Sequence, residues 1–498
     1  MKFNKKTTFG IAVGALLSCF LMTALAMTEH FTDATATVHQ NRWKAWQTDW
    51  DTTKANLEQI SLTPGANQTK LNFGWYSHTA TAQPTVKLAT NAAMSNPQIF
   101  TGNQNAHRVI NGVQYYSSKV TVNSLTEHTT YYYQYENNGV WSQPVAFTTK
   151  SFTKFKLFLV GDPQIGASVG QTPSTGSGAQ TAEIAACNDT YNWDATLKTA
   201  LHTHPDVSFM ISAGDQINYT KKDDTPQQEI EYSGFLSPKT LKSLPLATTI
   251  GNHDALTTNY QNHFNNPNSF TAETNPTAAG HGYYFTYGRA LFIFINTNNY
   301  NCADHEALLQ KAIQANPQAR WRVLTFHQDI YGSGKDHSDS DGIILRTQLT
   351  PLIDKYHIDV VLQGHDHTYS RTYPISGDCL AHTNYSSTSD ANRVKWSNEK
   401  TGAYLAQNTC YSVAKPQSSQ VTNPKGAVYV TANSATGSKY YELINPMQDY
   451  IAARWQQWKP TYSVIAITAT SLTIDTYETE TGSKIDATFT INKPLKKK

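Results

Sequence analysis

Between residues 155 and 370 the chain repeats one pattern five times: a short continuous apolar run, then a small cluster of Gly, Asp, Asn or His. The runs are Lys156–Val160, Val207–Ser212, Leu246–Ile250, Arg322–Phe326 and Val360–Leu362, with Ala290–Asn296 as a sixth run lacking such a cluster. Apolar runs of this length without alternation fit strands buried on both faces. The longer stretches between them have room for helices. Tyr462–Ile467, Ser471–Tyr477 and Thr488–Ile491 alternate instead, and read as antiparallel strands. A chain of this texture is expected to fold as an α/β sandwich.

The clusters are Gly161-Asp162-Pro163-Gln164, Gly214-Asp215-Gln216-Ile217-Asn218, Gly251-Asn252-His253-Asp254, His327, and Gly364-His365-Asp366-His367. Strand C-termini deliver side chains to one crevice, and glycine beside them lets the backbone turn sharply. Asp, His and an Asn carbonyl are ligands suited to Zn, Mn or Fe. His365 and His367 alternate along what reads as an extended segment, so both are expected to face one site while Asp366 points away. A single Gly-Asp is usually a turn, and a single His in an apolar strand is usually packed. Five such clusters in order, each after a strand, are a specific signal. His202, His204 and His305 lie outside the pattern and read as surface or packing residues.

Residues 61–150 have a different texture. Leu71, Phe73 and Trp75 alternate with Asn72, Gly74 and Tyr76, and Thr85–Leu88, Val113–Val122, Thr129–Tyr135 and Pro144–Thr148 are further strand candidates. This predicts an all-β sandwich ahead of the α/β part. Residues 27–60 carry Trp43, Trp46 and Trp50 on one helical face, a packing stripe for a helix docked on the two larger domains. The α/β part is expected over 151–492, and 493–498 reads as a solvated basic tail.

Composition narrows the function. A 15% charged chain with 28 Tyr, 19 Phe and 10 Trp can bury a large core. A formal net charge of +2 offers no electrostatic footing for a nucleic-acid scaffold. The sole long apolar stretch is Phe9–Leu25, behind Lys2, Lys5 and Lys6 and ahead of Ala24-Leu25-Ala26. Residues 1–26 therefore read as a bacterial-type secretory signal peptide, which makes the protein secreted or cell-surface. The alternatives are an uncleaved anchor, in which case the membrane becomes a partner, and a lipobox at Leu16-Leu17-Ser18-Cys19. Cleavage would leave 36 basic and 37 acidic residues, and the cysteines Cys187, Cys302, Cys379 and Cys410. They lack CxxC spacing, and an even number in an exported chain suggests disulfides. Cys379–Cys410 is the first expected pair, leaving Cys187–Cys302, with buried free thiols as the alternative.

Taken in order, the five clusters resemble those of the calcineurin-like metallophosphoesterase superfamily. The stretch Leu125-Thr126-Glu127-His128-Thr129-Thr130-Tyr131-Tyr132-Tyr133 resembles the tyrosine-corner segment of fibronectin type III domains and the N-terminal domain of purple acid phosphatases. Glu231–Pro238 resembles the branch that carries such a domain. Over residues 60–492 the chain looks like a relative of purple acid phosphatases. The resemblance implies a metallophosphoesterase-type β-sheet sandwich flanked by helices, holding two divalent ions (Zn, Mn or Fe). Asp215 would bridge them, Asp162 and His367 would bind the first, and Asn252, His327 and His365 the second.

It further implies hydrolysis of a small phosphate monoester by in-line attack of a hydroxide held on the metals. His253 would contact the phosphoryl group. His337, ten residues after His327, would face the substrate, unless it is a surface residue. The alternatives are a phosphodiesterase or nucleotidase on the same site, or a non-catalytic surface module, although no ligand position is lost. Two departures bear on the first metal. Asn218 stands where purple acid phosphatases have Tyr, with Tyr219 next, and Gln164 stands where the wider superfamily often has His. Both are possible first-metal contacts, and the missing tyrosinate predicts a protein that is not purple.

Overall fold

The structure is a computed structural model that describes residues 30–176, 178–221, 225–335, 337–338, 342–377, 411–416 and 418–495. The expected signal segment, residues 496–498 of the tail, and both Cys379 and Cys410 lie outside the described residues.

The N-terminal β domain is two sheets. One runs Ser61–Pro64, Leu71–Ser77, Val113–Val122, Asn103–Ile110, and the other Gln98–Thr101, Thr85–Ala89, Thr130–Asn137, Val140–Trp141, with Val145–Thr148 also pairing Thr130–Asn137. Phe73, Trp75, Val86, Leu88, Val120, Tyr133 and Phe147 fill the space between. Tyr131 Oη accepts from Thr126 N at 2.9 Å, a hydroxyl-to-backbone tie at the corner leading into its strand. Leu71–Ser77 departs from simple alternation, because both of its faces are buried. Its second face packs on the α/β part: Asn72 Nδ2 donates to Asn265 O at 2.7 Å, and the Tyr76 ring stacks on His263 at 4.2 Å.

Among the described residues six α-helices accompany the strands: α1 Gln40–Ala55, α2 Ala182–Thr203, α3 Thr225–Leu236, α4 Asn259–His263, α5 Cys302–Ala315 and α6 Gly342–Lys355. The α/β part is a sandwich of two seven-stranded sheets. The first is ordered Leu246–Thr248, Val207–Ser212, Phe155–Val160, Thr461–Ile467, Ser471–Glu478, Phe489–Asn492, Gln420–Thr422. The second is ordered Tyr283–Tyr287, Ala290–Phe294, Trp321–Thr325, Val360–Gln363, Val428–Thr431, Tyr369–Thr372, Ile451–Trp455. Each has a parallel half, built from the apolar runs.

Continuous hydrophobicity has a simple cause here. Leu157 and Leu159 point into the inter-sheet core with Phe209, Phe292 and Leu362, whereas Phe158 and Val160 point out against Trp193 of α2 and Tyr232 of α3. In the second sheet Val323 and Val360 point in, and Leu324 and Val361 pack outward against Leu308 of α5 and Leu349 of α6. α1 lies against α2 and α3 through buried Trp43 and Trp50, and Trp46 Nε1 donates to Cys187 O at 3.0 Å.

Two expectations are corrected. Cys187 and Cys302 are not bridged to one another. Cys187 belongs to the core outside the first sheet and Cys302 to the core outside the second, so the inter-sheet layer separates them. A disulfide needs Cα atoms within about 7 Å. Lys493 is not a solvated tail residue: its ammonium pairs with Asp359 at 2.5 Å and lies 4.8 Å from the centre of the Trp321 ring.

Candidate metal centre

Each cluster follows the C-terminal end of a parallel strand, so the two sheets bring all five to one edge of the sandwich. The turns are unusual. Asp162, Gln164, Asp215, His365 and His367 all adopt positive φ, between 35° and 71°. A non-glycine residue there costs free energy, and it persists where the surrounding structure over-determines it. His365 and His367 are therefore not aimed by strand alternation, as the sequence suggested. They sit in consecutive left-handed bends, and Asp366 between them turns away to accept from Gly334 N at 2.5 Å and Ser338 Oγ at 2.8 Å.

One half of the centre is a knot of lone pairs. His327 Nδ1 donates to Ala213 O at 2.9 Å, which leaves Nε2 as a bare acceptor. Around Nε2 stand Asn252 Oδ1 at 2.9 Å, His365 Nδ1 at 3.1 Å and Asp215 Oδ2 at 3.3 Å. The ligand atoms of Asp215, His327 and His365 all lie within 4.8 Å of one another, and all three residues are buried. Four acceptor-capable atoms around one buried point are the donor set of a cation. Burial alone would lower the His327 pKa, but Asp215 outweighs burial and lifts it to about 9, so without an ion a proton is drawn to the same place.

The other half holds Asp162 and His367. His367 Nδ1 donates to Lys439 O at 2.7 Å and turns Nε2 toward Asp162 Oδ1 at 3.6 Å. Burial, with the Lys439 charge added, holds His367 well below its ordinary pKa, which keeps its imidazole neutral as a ligand must be. Asp162 receives His365 N on both oxygens, at 3.0 and 2.9 Å. Burial raises its pKa, against the pull of His327. Burial opposes ionisation of Asp215 too, yet His327 and His253 hold it well below the usual carboxylate range. Gln164 Nε2 donates to Asn218 Oδ1 at 3.3 Å, and Gln164 Oε1 is buried with no hydrogen-bond partner among the described residues. The Tyr219 ring lies 5.9 Å from the Lys221 ammonium.

The cradle is tight. An added Cβ at Gly251 would overlap Asp215 Oδ1, and one at Gly364 would come within 2.6 Å of Asp162 Oδ2. These residues fit divalent cations: backbone carbonyls hold one ring nitrogen of His327 and one of His367 and leave the other free to ligate, Asp215 supplies a carboxylate, and the Gln164 amide oxygen is left over.

His253 and His337 complete the surroundings. His253 N donates to Asp215 Oδ1 at 2.9 Å, its Nδ1 bonds Asn218 O, and its Nε2 lies 3.8 Å from Asp215 Oδ2. The half-buried His337 ring lies 3.8 Å from the His365 ring and 5.2 Å from Tyr441, centroid to centroid, so it stands beside the centre. His305 is a packing residue, bonding Asn299 O at 2.7 Å, and His204 packs on Tyr462 and Tyr477.

Several residues that hold this geometry have no role assigned to them by the sequence. Asp254 accepts from Gly251 N at 2.9 Å, Gln216 N at 3.3 Å and Tyr232 Oη at 3.0 Å, tying the second and third clusters together. Glu231 Oε2 accepts from Asn218 N at 2.9 Å and Tyr219 N at 2.8 Å, and Asp189 Oδ2 from Gly166 N at 2.9 Å and Ser168 N at 3.2 Å. Burial pushes Glu231 up to about 8 and Asp189 up to about 6. The Glu231–Pro238 stretch is legible as a family resemblance, but not as a carboxylate beneath the second cluster.

Known proteins share parts of this sequence and fold. The family model for the purple acid phosphatase N-terminal domain matches residues 57–149, and that for calcineurin-like phosphoesterases matches residues 182–369. The purple acid phosphatase PPD1 from yellow lupin (Lupinus luteus) seeds superposes with a TM-score of 0.59 at 14% identity, over 88% of this chain and 75% of that one, a likeness of fold. An uncharacterized protein of Mycobacterium tuberculosis, recorded from two strains, is 26% identical over 156 residues, which is 27% of this chain and 29% of the relative's length. The chain thus matches, in order, a purple acid phosphatase N-terminal domain and a calcineurin-like phosphoesterase domain.

Proposed function

We propose that the chain hydrolyses phosphate monoesters with two divalent ions at this centre, after export directed by its first 26 residues. The observation that carries the reading is the convergence of Asp215 Oδ2, Asn252 Oδ1, His327 Nε2 and His365 Nδ1 on one buried point. Asp162 and His367 would hold one ion, Asn252, His327 and His365 the other, and Asp215 both. When bound, such ions supply an acidified water and positive charge for the phosphoryl oxygens.

The chain's own residues do the rest. The Ala213 and Lys439 carbonyls fix the tautomers of His327 and His367. His253 has Nδ1 engaged by Asn218 O, so its Nε2 can accept a proton from the attacking water or a protonated phosphoryl oxygen. His337, beside His365, can give a proton to the leaving alkoxide oxygen. The test is to strip and reconstitute the protein, measure its metal content, and assay a monoester, a diester and a nucleotide. Monoester turnover that needs about two ions per chain supports the reading, and full activity in the stripped protein overturns it.

His337→Ala should leave the metal content intact and lower turnover by about 10²–10⁴-fold for esters with poor leaving groups. For activated esters the loss should be much smaller. An equal loss on both kinds of ester would reduce His337 to positioning phosphate, and no loss would return it to the surface residues.

The iron-loaded, oxidised protein should lack a strong visible band. Asn218 offers a neutral amide where a tyrosinate would supply charge transfer, and the Tyr219 ring lies toward Lys221. A visible band that vanished in Tyr219→Phe would make Tyr219 a ligand.

A further inference from the structure

The segment 434–441 is bolted to both clusters of the first-metal half. Ser434 Oγ donates to Asp162 O at 3.0 Å, Ala435 N to Gly161 O at 2.8 Å and Thr436 Oγ1 to Pro163 O at 2.7 Å. At its other end Lys439 O accepts from His367 Nδ1 at 2.7 Å. Gln456 Nε2 donates to both His367 O, at 2.7 Å, and Tyr441 O, at 3.1 Å. Tyr440 Oη meets Thr32 Oγ1 at 2.8 Å on the outer side. The backbone of Lys439 thus has little freedom relative to Asp162 and His367.

The side chain of Lys439 lies beside the centre, against Tyr441. Its ammonium is 5.0 Å from the centre of the Tyr441 ring, and that ring stands edge-on to both His337 and His367 at 5.2 Å. The ammonium interacts electrostatically with Asp162, Asp215, His253 and His367, four groups of the centre. The Lys439 side chain hydrogen-bonds Tyr441, and among the described residues no carboxylate lies within ion-pair distance of it. A half-buried cation beside this centre, held by Tyr441 and by no described carboxylate, can meet an anion that enters it.

We propose that Lys439 binds a non-bridging oxygen of the substrate's phosphoryl group and biases the site toward doubly charged monoesters over singly charged diesters. This rests on the phosphoesterase reading above. A fixed positive charge gains more from a dianion than from a monoanion, and a charge-assisted hydrogen bond to phosphate is about twice as strong as a neutral one.

The test compares wild type, Lys439→Met and Lys439→Arg, all metal-loaded, on a monoester and a diester with the same leaving group, alongside calorimetric titration with inorganic phosphate. Lys439→Met should lower kcat/KM by about 10²-fold on the monoester and by less than about tenfold on the diester. It should weaken phosphate binding at unchanged metal content, and Lys439→Arg should recover part of each loss. Equal losses on the two esters, unchanged phosphate affinity, no phosphate binding by wild type, or loss of metal in Lys439→Met would each overturn the proposal. Wild-type protein that binds phosphate but hydrolyses neither ester would overturn the phosphoesterase reading, while the phosphate titration would still judge Lys439.

Discussion

Asp215→Ala should release both ions and cut ester hydrolysis by at least about 10³-fold without unfolding the chain. Asp215 is 2% exposed, approaches His327 Nε2 at 3.3 Å through Oδ2, and receives His253 N through Oδ1. In the proposed arrangement it is the carboxylate that both ions would share. Its positive φ of 46° is a conformation that alanine holds no more easily, but the flanking strand Val207–Ser212 is anchored by pairing on both sides. Asn252→Ala makes the sharper contrast. It removes one neutral oxygen from the His327–His365 knot and leaves Asp162 and His367 untouched, so one ion should be lost and the other retained. Elemental analysis, thermal unfolding and kinetics on the same samples check all three statements. Retained activity in an Asp215→Ala protein shown to be metal-free would end the two-ion account.

That the centre can be found from sequence has a physical cause. Ligands of a parallel-sheet site must sit at strand ends, and strands buried on both faces advertise themselves as short apolar runs, so Asp162, Asp215, Asn252, His327 and His365 are each marked by the residues before them. Where no such run precedes a residue, the sequence is silent. Lys439 and Tyr441 come after Val428–Thr431 through a small-residue turn that reads as ordinary loop, and they reach the centre through side-chain bonds of Ser434 and Thr436. Glu231 and Asp189 are helix residues whose burial depends on which helix face meets the loops, a tertiary fact.

Two inferences fail for local reasons. Strand alternation reaches His365 and His367 by the wrong route, because both occupy left-handed bends. Pairing Cys187 with Cys302 by elimination ignores that helices on opposite faces of a sandwich do not meet. In the β domain, Gln98–Thr101 and Asn103–Ile110 escape notice because they are largely exposed or half-exposed and carry no apolar alternation.

The contact between the two domains should weaken in acid, and Glu229 should be the reason. This α3 carboxylate is fully buried where the β domain meets the α/β part. His263 Nε2 lies 2.7 Å from Oε2, and Tyr76 Oη donates to Oε1 at 3.3 Å. His107 Nε2 lies 3.6 Å from Oε1, and Arg108 Nη1 donates to Asn259 Oδ1 at 2.6 Å beside them. Tyr76, His107 and Arg108 come from the β domain, and Glu229, Asn259 and His263 from the other, so the cluster spans the boundary. Burial alone would raise the Glu229 pKa, but the His263 and His107 imidazoles outweigh burial and bring it down to about 2 from an ordinary 4.5.

A carboxylate with a depressed folded-state pKa contributes stability that is fully present above its unfolded value. That stability is lost as pH falls through the folded value, so the window runs from about 4.5 down to about 2. The shift corresponds to roughly 3 kcal/mol for a fully buried group. Glu229→Gln keeps the shape and removes the titration, so wild type should be the more stable near neutrality and the difference should shrink by about that amount as pH falls to 2. Urea unfolding of both proteins across that range, with the m-value checked for a separately unfolding β domain, measures it. Stability curves that run parallel from pH 5 to pH 2 would show that the boundary is held by its apolar and neutral hydrogen-bonded contacts, such as Asn72 on Asn265 and Ser61 on His263 at 2.5 Å, and not by the Glu229 charge.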